Sequence, residues 1–408
     1  MVRRSTKGPL DMDDPLAGST TGHPLATSNE TSIASASPSP LQDKNLPPPV
    51  PAVQQKPKPS INTRFLQNPK LYQQILTDDV APAFLTSKHQ PPAGTSLSDL
   101  IRGGHFRRAA GVAAQSILKC NPDDADLVFQ LLYTRFACLT LIARSDTAAE
   151  EAAQLLDILA RNAAESGDLV AAIPWELRLL LVRLQSMATS DGGRRGIMAL
   201  YALAAEARAH VKEARMNEDG DETKVWTQRL RDLGLRVADA LTEMGELETA
   251  SRHCDSLTDV DSDEVFFRKV LLRIRVGDVI GAQRSIVKLQ DADRRAALTA
   301  LIAVASGTEV SRTWQTLLDS DTDNAEVANN LSISLLYCGR ILEARRVMED
   351  AAERFPTFPG MLFNLSTVYE LCSERAMESK VAFSEKVADR EPDPGAGGWE
   401  RSVFDFKL

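Results

Sequence analysis

From residue 96 onward, apolar residues recur three and four positions apart, which is the period of an amphipathic α-helix. The pattern is clear in LVFQLLYTRFACLTLI (127–142), WELRLLLVRLQSM (175–187) and VFFRKVLLRIRV (265–276). Polar links such as NPDD (121–124) and NEDGDE (217–222) separate these stretches. Since almost nothing alternates as a strand would, the pattern predicts an all-α fold built from pairs of helices.

The pairs recur at a nearly constant interval, marked by a glycine that is followed five residues later by an alanine. Three such pairs are Gly245/Ala250, Gly277/Ala282 and Gly339/Ala344. The first two lie 32 residues apart and the third follows after 62, which is close to two steps of the 34-residue tetratricopeptide period. Seven signature positions of that repeat fall in one register within residues 325–356: Leu331, Leu335, Gly339, Ala344, Met348, Ala351 and Pro356.

Several of these positions have a steric reason. Gly339 can adopt the left-handed conformation that ends a helix, and Pro356 stops the next helix. Ala344 and Ala351 let two helices approach closely, where larger side chains would overpack the seam by about 1–3 kcal/mol. We therefore predict a tetratricopeptide-like α-solenoid of antiparallel helix hairpins. An irregular helical bundle is the alternative.

The composition divides the chain into four parts. Residues 1–60 hold 11 of the 21 prolines and few periodic apolar residues, so we expect a disordered Pro/Ser-rich tail. Residues 61–95 are predicted to form a short helical segment and linker, residues 96–392 the solenoid, and residues 393–408 a C-terminal tail. Between about 140 and 230 no full repeat register survives, which indicates degenerate hairpins there.

Charge and composition exclude several classes of function. The net charge is −9, and no stripe of lysine and arginine is interleaved with aromatic residues, so we do not expect nucleic-acid binding. No run of eighteen apolar residues is present, so we expect no direct membrane insertion. The five cysteines are far apart and no secretion signal precedes them, which indicates reduced thiols in a cytosolic protein.

No constellation of residues predicts catalysis. The five histidines are scattered, and the sequence has no HExxH, CxxC or P-loop motif. His253, Cys254 and Asp255 are adjacent, but neighbours on a helix point about 100° apart, so they form no catalytic set by themselves. We interpret His253 as facing solvent and Cys254 as a core residue. The chain is therefore predicted not to be an enzyme and to need no cofactor or metal.

A solenoid without catalytic groups typically binds other proteins along the face formed by the first helix of each hairpin. In the last two hairpins, the candidate partner-binding residues are Asn329, Asn330, Ile333, Tyr337, Phe363, Asn364 and Thr367. Asn330 and Asn364 lie 34 positions apart, so they occupy equivalent sites. Their amides could bind a partner's backbone or tie neighbouring hairpins together.

The paired asparagines raise the possibility of a co-chaperone that grips an acidic C-terminal peptide. Such a clamp needs a lysine four residues before the first asparagine and a basic pair in a third hairpin. Glu326 and Gly360 stand four residues before Asn330 and Asn364, and no complete third hairpin follows. The acidic net charge also suits an acidic peptide poorly.

Two stretches, NAEVANNLSISLLYCGRILEA (324–344) and GMLFNLSTVYELCSERAMESKVAFSEKVADRE (360–391), resemble the C-terminal end of the trafficking protein particle (TRAPP) complex subunit 12 family. SLSDLIRGGHFRRAAGVAAQSIL (96–118) resembles the first hairpin of that family, whereas the ending DPGAGGWERSVFDFKL (393–408) differs from it.

The resemblance implies a non-catalytic scaffold subunit of a vesicle-tethering complex. It would be cytoplasmic, peripherally associated with the endoplasmic reticulum–Golgi interface, and would bind the eighth and eleventh subunits. The alternative is a tetratricopeptide adaptor of another assembly, such as co-chaperone, cell-cycle or peroxisomal machinery.

Overall fold

A computed structural model describes residues 61–163, 169, 172–188, 193–257, 262–307, 311–320, 324–392 and 398–408. The predicted disordered tail, residues 1–60, lies outside the described residues. Within the described ranges the chain forms α-helices, two short 3-10 helices at Arg64–Leu66 and Pro69–Leu71, and one isolated antiparallel bridge between Val80 and Ser402. No helix in these ranges is long and apolar enough to span a membrane.

Seventeen α-helices are described. They are α1 (Pro82–Leu85), α2 (Leu97–Arg102), α3 (Phe106–Lys119), α4 (Ala125–Leu141), α5 (Ser145–Ala163), α6 (Trp175–Ala188), α7 (Arg194–Met216), α8 (Gly220–Glu243), α9 (Leu247–Ser256), α10 (Asp263–Val276), α11 (Val279–Ile286), α12 (Ala292–Ala305), α13 (Ser311–Ser320), α14 (Ala325–Tyr337), α15 (Ile341–Arg354), α16 (Pro359–Cys372) and α17 (Ala376–Ala388). From α2 onward each helix packs against the next, so the described helices pair as eight successive hairpins, α2/α3 to α16/α17. This confirms the predicted all-α, tetratricopeptide-like solenoid.

The signature glycines lie at the turns inside the hairpins. Gly245, Gly277 and Gly339 have φ of +80°, +86° and +77° and follow α8, α10 and α14. After α14 the amide of Gly339 donates to Leu336 O at 3.0 Å, and the next amide, of Arg340, donates to Leu335 O at 2.9 Å. These two bonds form a Schellman motif, which satisfies the last carbonyl groups of the helix while the chain reverses.

The same turn occurs in the region where the sequence register is lost. Ala143 follows α4 with a φ of +58°, and the amides of Ala143 and Arg144 donate to Thr140 O and Leu139 O. Inside the α6/α7 hairpin the left-handed position is Gly193, with a φ of +87°, and position 198, five residues later, is methionine rather than alanine. The hairpins therefore continue between 140 and 230, but their left-handed positions do not all carry the marker glycine. The helices are also longer there, with 23 residues in α7 and 24 in α8.

The signature alanines lie where helices meet. Ala250, Ala282, Ala344 and Ala351 are all completely buried. In the α14/α15 hairpin the Ser332 hydroxyl donates to Ala344 O at 2.7 Å, so the helices are close enough for a side chain to bond the opposite backbone. Pro356 is exposed and follows the end of α15.

The segments that flank the solenoid pack on it. We expected a C-terminal tail from residue 393, but its described part, residues 398–408 (the C-terminal segment), is instead folded onto the helices. Trp399 and Phe406 join the core that contains the last hairpins. Burying an aromatic side chain of this size contributes about 1.5–3 kcal/mol, which gives a physical reason for the segment to dock.

The two flanking segments also join the first hairpin to the last. Residues 61–95 (the N-terminal segment) place Leu66 in the core of the first hairpins and Phe84 in the core of the last ones. The C-terminal segment contacts the first hairpin through the amide of Trp399, which donates to Gly104 O at 3.0 Å, and the last hairpins through Phe406. The helical array is thus closed on itself by the two flanking segments.

Candidate partner-binding surface

The candidate residues lie on α14 and α16, the first helices of the last two hairpins. These helices contact each other, so the structure brings the predicted residues onto one shared surface. Asn364 Nδ2 donates to Asn329 Oδ1 at 2.9 Å, and Asn329 Nδ2 lies 3.5 Å from Asn330 Oδ1. The three amides therefore form a ladder of hydrogen bonds between neighbouring hairpins. This geometry fits the alternative in which the asparagines link the hairpins, rather than the one in which they bind a partner's backbone.

The other four candidates differ in exposure. Tyr337 is 87% exposed at the C-terminal end of α14, and Phe363 is also exposed near the start of α16. Ile333 is partly buried and packs against the core of the last hairpins. The Thr367 hydroxyl donates to Phe363 O at 2.9 Å within its own helix. Of the seven candidates, Tyr337 and Phe363 are thus the two that expose a large side chain to solvent.

Part of the surface is covered by Lys407 of the C-terminal segment. Lys407 Nζ lies 5.2 Å from the centre of the Phe363 ring and 3.4 Å from the Thr367 hydroxyl oxygen. It also forms an ion pair with Glu370. Sequence reasoning missed Lys407 because it lies in a stretch without helical periodicity, 40 residues from Thr367.

Glu370 receives a second cation from α17. Lys380 Nζ lies 2.6 Å from Glu370 Oε1 and donates to Lys407 O at 3.0 Å, although Lys380 itself is buried. The hydrogen bonds from Lys380 and from Lys407 hold the pKa of Glu370 below its usual range. The carboxylate therefore stays ionised and fastens the C-terminal segment to α16.

The deepest charged clusters join elements of the fold. Arg135 of α4 pairs with Glu151 of α5, and both side chains are almost wholly buried. Arg107 of α3 lies 2.9 Å from Asp79 Oδ1 and 3.3 Å from Glu400 Oε2, so a single guanidinium contacts both flanking segments. These networks have no signature in the sequence because their members are up to 321 positions apart.

Of the adjacent residues His253, Cys254 and Asp255, one differs from the prediction made from the sequence. His253 is buried rather than solvent-facing, because its Nε2 lies 3.0 Å from Gly234 O between α8 and α9. Cys254 is a core residue as expected, and burial raises the pKa of its thiol to about 11. A thiol with that pKa is protonated at neutral pH and is a poor nucleophile. Among the described residues no cluster of three or more His, Cys, Asp or Glu side chains could hold a metal ion.

Comparison with known proteins gives one clear similarity. No protein-family model matches the chain. The human "Trafficking protein particle complex subunit 12" is 38% identical over 88 residues, and the mouse protein of that name is 35% identical over 88 residues. Each match covers 21% of this chain, but only 12% of the human protein and 11% of the mouse protein.

Among solved structures, a tetratricopeptide repeat protein from Parabacteroides merdae aligns with 64% of this chain and 93% of its own, at 13% identity and a TM-score of 0.37. The hairpins and their turns define the fold of this chain independently of that alignment. The 88-residue match confirms the resemblance seen in the sequence: over about a fifth of its length this chain is similar to subunit 12 of the trafficking protein particle complex.

Proposed function

We propose that this chain is a non-catalytic scaffold subunit of a TRAPP vesicle-tethering complex in transport from the endoplasmic reticulum to the Golgi. The observation that carries the proposal is the 88-residue similarity to subunit 12 from human and mouse. The eight-hairpin array is consistent with it, because stacked hairpins offer an extended surface for protein binding. The proposed location is the cytoplasm, at the periphery of endoplasmic reticulum and Golgi membranes.

The proposed partners are other TRAPP subunits, in particular the eighth and eleventh. Tyr337 of α14 and Phe363 of α16 are large aromatic side chains exposed to solvent. Tyrosine and other aromatic residues often dominate binding energy, since they bury a large area at a low cost in side-chain entropy. We therefore propose that these two residues anchor a partner, while the asparagine ladder holds their helices in register.

Affinity purification of the tagged full chain from cells tests the proposal. We expect other TRAPP subunits in stoichiometric amounts, and a loss of about tenfold or more in recovery for Tyr337→Ala with Phe363→Ala. The matched control is Leu342→Ala, because Leu342 is 65% exposed but lies on the second helix of the α14/α15 hairpin. Recovery of a heat-shock chaperone or of another assembly in place of TRAPP subunits would contradict the proposal and favour the adaptor alternative.

The proposal also makes a biochemical prediction about the isolated chain. A scaffold subunit contributes contacts rather than catalysis, so the purified chain should not accelerate nucleotide exchange on a Rab-family GTPase. Release of a fluorescent nucleotide measures this directly, with the assembled complex as the positive control. Exchange by the chain alone would contradict the non-catalytic role.

A further inference from the structure

Around Ser402 the C-terminal segment runs antiparallel to residues 79–81, and after Val403 it turns, with the amides of Lys407 and Leu408 donating to Phe404 O and Val403 O. The amide of Ala81 donates to Arg401 O at 3.0 Å, and the amide of Val403 donates to Asp79 O at 2.9 Å, on either side of the Val80–Ser402 bridge. Addition of one extended segment beside another is a common mode of peptide recognition, in which backbone bonds give affinity and side-chain pockets give specificity.

Two aromatic side chains of the segment, Trp399 and Phe406, are buried among side chains of the fold and anchor the segment. Phe406 is completely buried and packs edge-on against Phe383 of α17, with ring centres 5.8 Å apart. Trp399 packs edge-on against Phe84 of the N-terminal segment at 5.3 Å and against His105 at 5.0 Å. Phe404 lies between the anchors in sequence but is 75% exposed, so not every aromatic side chain of the segment is buried.

Polar contacts fix the position of the segment. The guanidinium of Arg401 donates to Thr357 O at 2.6 Å, directly after the end of the α15 helix. Lys407, the residue after the second anchor, is recognised by the carboxylate of Glu370. Lys380 donates to the carbonyl oxygen of the same residue. The rest of the fold therefore contacts both aromatic anchors of the segment and its basic side chain Lys407 through specific groups.

The site is larger than its occupant. A cavity of about 630 Å³ lies beside Val403 and Leu408, and residues 82–88 and α17 line it with both apolar and polar side chains, Lys88 and Glu385 among the polar ones. Met377 and Val381 of α17 are both exposed along it. The C-terminal segment thus buries its two aromatic anchors in the core of the last hairpins, while Val403 and Leu408 border a groove that remains accessible.

We propose that this groove, formed by residues 79–84, α17 and Glu370, is a peptide-binding site and that residues 398–408 are its exchangeable ligand within the same chain. The ligand class is a peptide that pairs beside residues 79–81 and then turns, with two aromatic anchors seven positions apart and a basic residue directly after the second. A seated segment places Lys407 over Phe363 and Thr367. Its release uncovers both residues, a consequence that rests on the proposed partner-binding function.

Peptide binding to the full chain tests the groove. The protein carries Trp399→Ala and Phe406→Ala, so that its own segment lacks both anchors, and the probe is a fluorescent peptide of residues 398–408. We expect saturable binding by fluorescence anisotropy, about tenfold or more weaker for the Phe406→Ala peptide and unchanged within about twofold for the Phe404→Ala peptide. Equal affinities for the Phe406→Ala and unchanged peptides, or absence of saturable binding, would overturn the proposal.

A second experiment covers the case in which that variant does not fold. A protease cleavage sequence replaces residues 393–397 in the otherwise unchanged chain, and the protein is cut after purification. An exchangeable ligand is displaced by excess unlabelled peptide while the helical circular dichroism signal persists. Loss of the helical signal on displacement, or retention of the segment at any peptide concentration, would show that the segment is an integral part of the core.

The peptide-binding experiments and the affinity purification from cells can fail independently of each other. Peptide binding is measured with purified components, whereas the scaffold role depends on recovery of TRAPP subunits from cells. Peptide binding without TRAPP recovery would refute the scaffold role and leave the groove intact. TRAPP recovery without peptide binding would refute the groove alone.

Discussion

The turns inside the hairpins repeat one backbone conformation with different residues. Gly339 has a φ of +77°, and a side-chain carbon added there would meet nothing within 4 Å. Any cost of a substitution therefore comes from the backbone rather than from crowding. The left-handed conformation costs a residue other than glycine roughly 1–2 kcal/mol.

We predict that Gly339→Ala lowers the free energy of unfolding by about that amount. Gly111 provides the matched control, because it also has open space around it but lies inside α3. Gly111→Ala should raise the free energy of unfolding by about 0.5–1 kcal/mol, since alanine loses less conformational entropy in a helix. Urea unfolding followed by circular dichroism measures both, and shifts in the same direction would contradict the assignment of the turn.

His105 links the packing of the C-terminal segment to pH. Its ring packs against Trp399, and Nδ1 is buried without a hydrogen-bond partner among the described residues. Burial and then the nearby Arg108 lower the pKa of this imidazole from its ordinary value of 6.5. Below pH 6.5 this histidine is mostly protonated in the unfolded chain but binds a proton less readily in the folded chain. The free energy of unfolding therefore falls as the pH is lowered.

We therefore predict that acidification from pH 7.5 to 5.5 destabilises the wild type more than His105→Phe. Phenylalanine retains an aromatic ring against Trp399 but cannot bind a proton. Urea unfolding at both pH values gives the comparison. If the two proteins lose equal stability, protonation of His105 does not contribute.

At the scale of secondary-structure elements, Arg107 connects α3 to both flanking segments. Its guanidinium contacts Asp79 and Glu400, and it donates to Leu76 O. Removal of one member of a buried charge cluster costs about 3–5 kcal/mol, because the remaining charges lose their compensation. The two carboxylates are mostly shielded from water, so solvent could replace the lost cation only by partial opening of the segments.

We predict that Arg107→Met lowers the free energy of unfolding by about 3–5 kcal/mol. Arg102→Met is the matched control, because Arg102 of α2 pairs with Asp99 at the exposed surface and should cost less than about 1 kcal/mol. Both values come from chemical denaturation. A small effect at Arg107 would mean that the flanking segments dock without this cluster.

Sequence periodicity identified the helices that obey the repeat. The α14/α15 hairpin was predictable because its turn glycine, its seam alanines and its closing proline all follow local rules. The turn at Ala143 was not, since alanine does not favour the left-handed conformation. The C-terminal segment gave no signal because two separated aromatic residues, Trp399 and Phe406, hold it by contacts with distant parts of the chain.

Local repeat rules also predicted part of the candidate surface, namely the proximity of the asparagines. Equivalent repeat positions placed the asparagines together, since a fixed period brings residues 34 apart onto neighbouring helices. Their actual pairing joins Asn364 to Asn329, one position from the expected partner, because side-chain direction on a helix is set by packing as well as by spacing. The cover supplied by Lys407 depends on tertiary structure and was not accessible to periodicity.

At the scale of the whole molecule, closure distinguishes this array from an open solenoid. In an open solenoid each repeat contacts only its neighbours, so the end repeats are the least protected. Here the first and last hairpins share two flanking segments, with Phe84, Trp399 and Phe406 at the junction. Closure therefore removes the free ends and couples the stability of α2 and α3 to that of α17.

Loss of the two anchors should open the closed array without unfolding its middle. We predict that Trp399→Ala with Phe406→Ala increases the radius of gyration in small-angle X-ray scattering. Hydrogen exchange should become faster in α2, α3 and α17 but not in α8, because the buried hydrophobic residues of α8 belong to a core that α6, α7, α9 and α10 form with it.

Phe404→Ala is the control for that experiment, since it removes the same side chain from an exposed position of the same segment. It should leave both the scattering curve and the exchange pattern unchanged. Faster exchange throughout the helices of the double variant would indicate global destabilisation rather than opening, and an unchanged radius would show that the N-terminal segment alone keeps the array closed. Opening confined to the end hairpins would establish that the two aromatic anchors, rather than the repeats themselves, determine the closed form of the molecule.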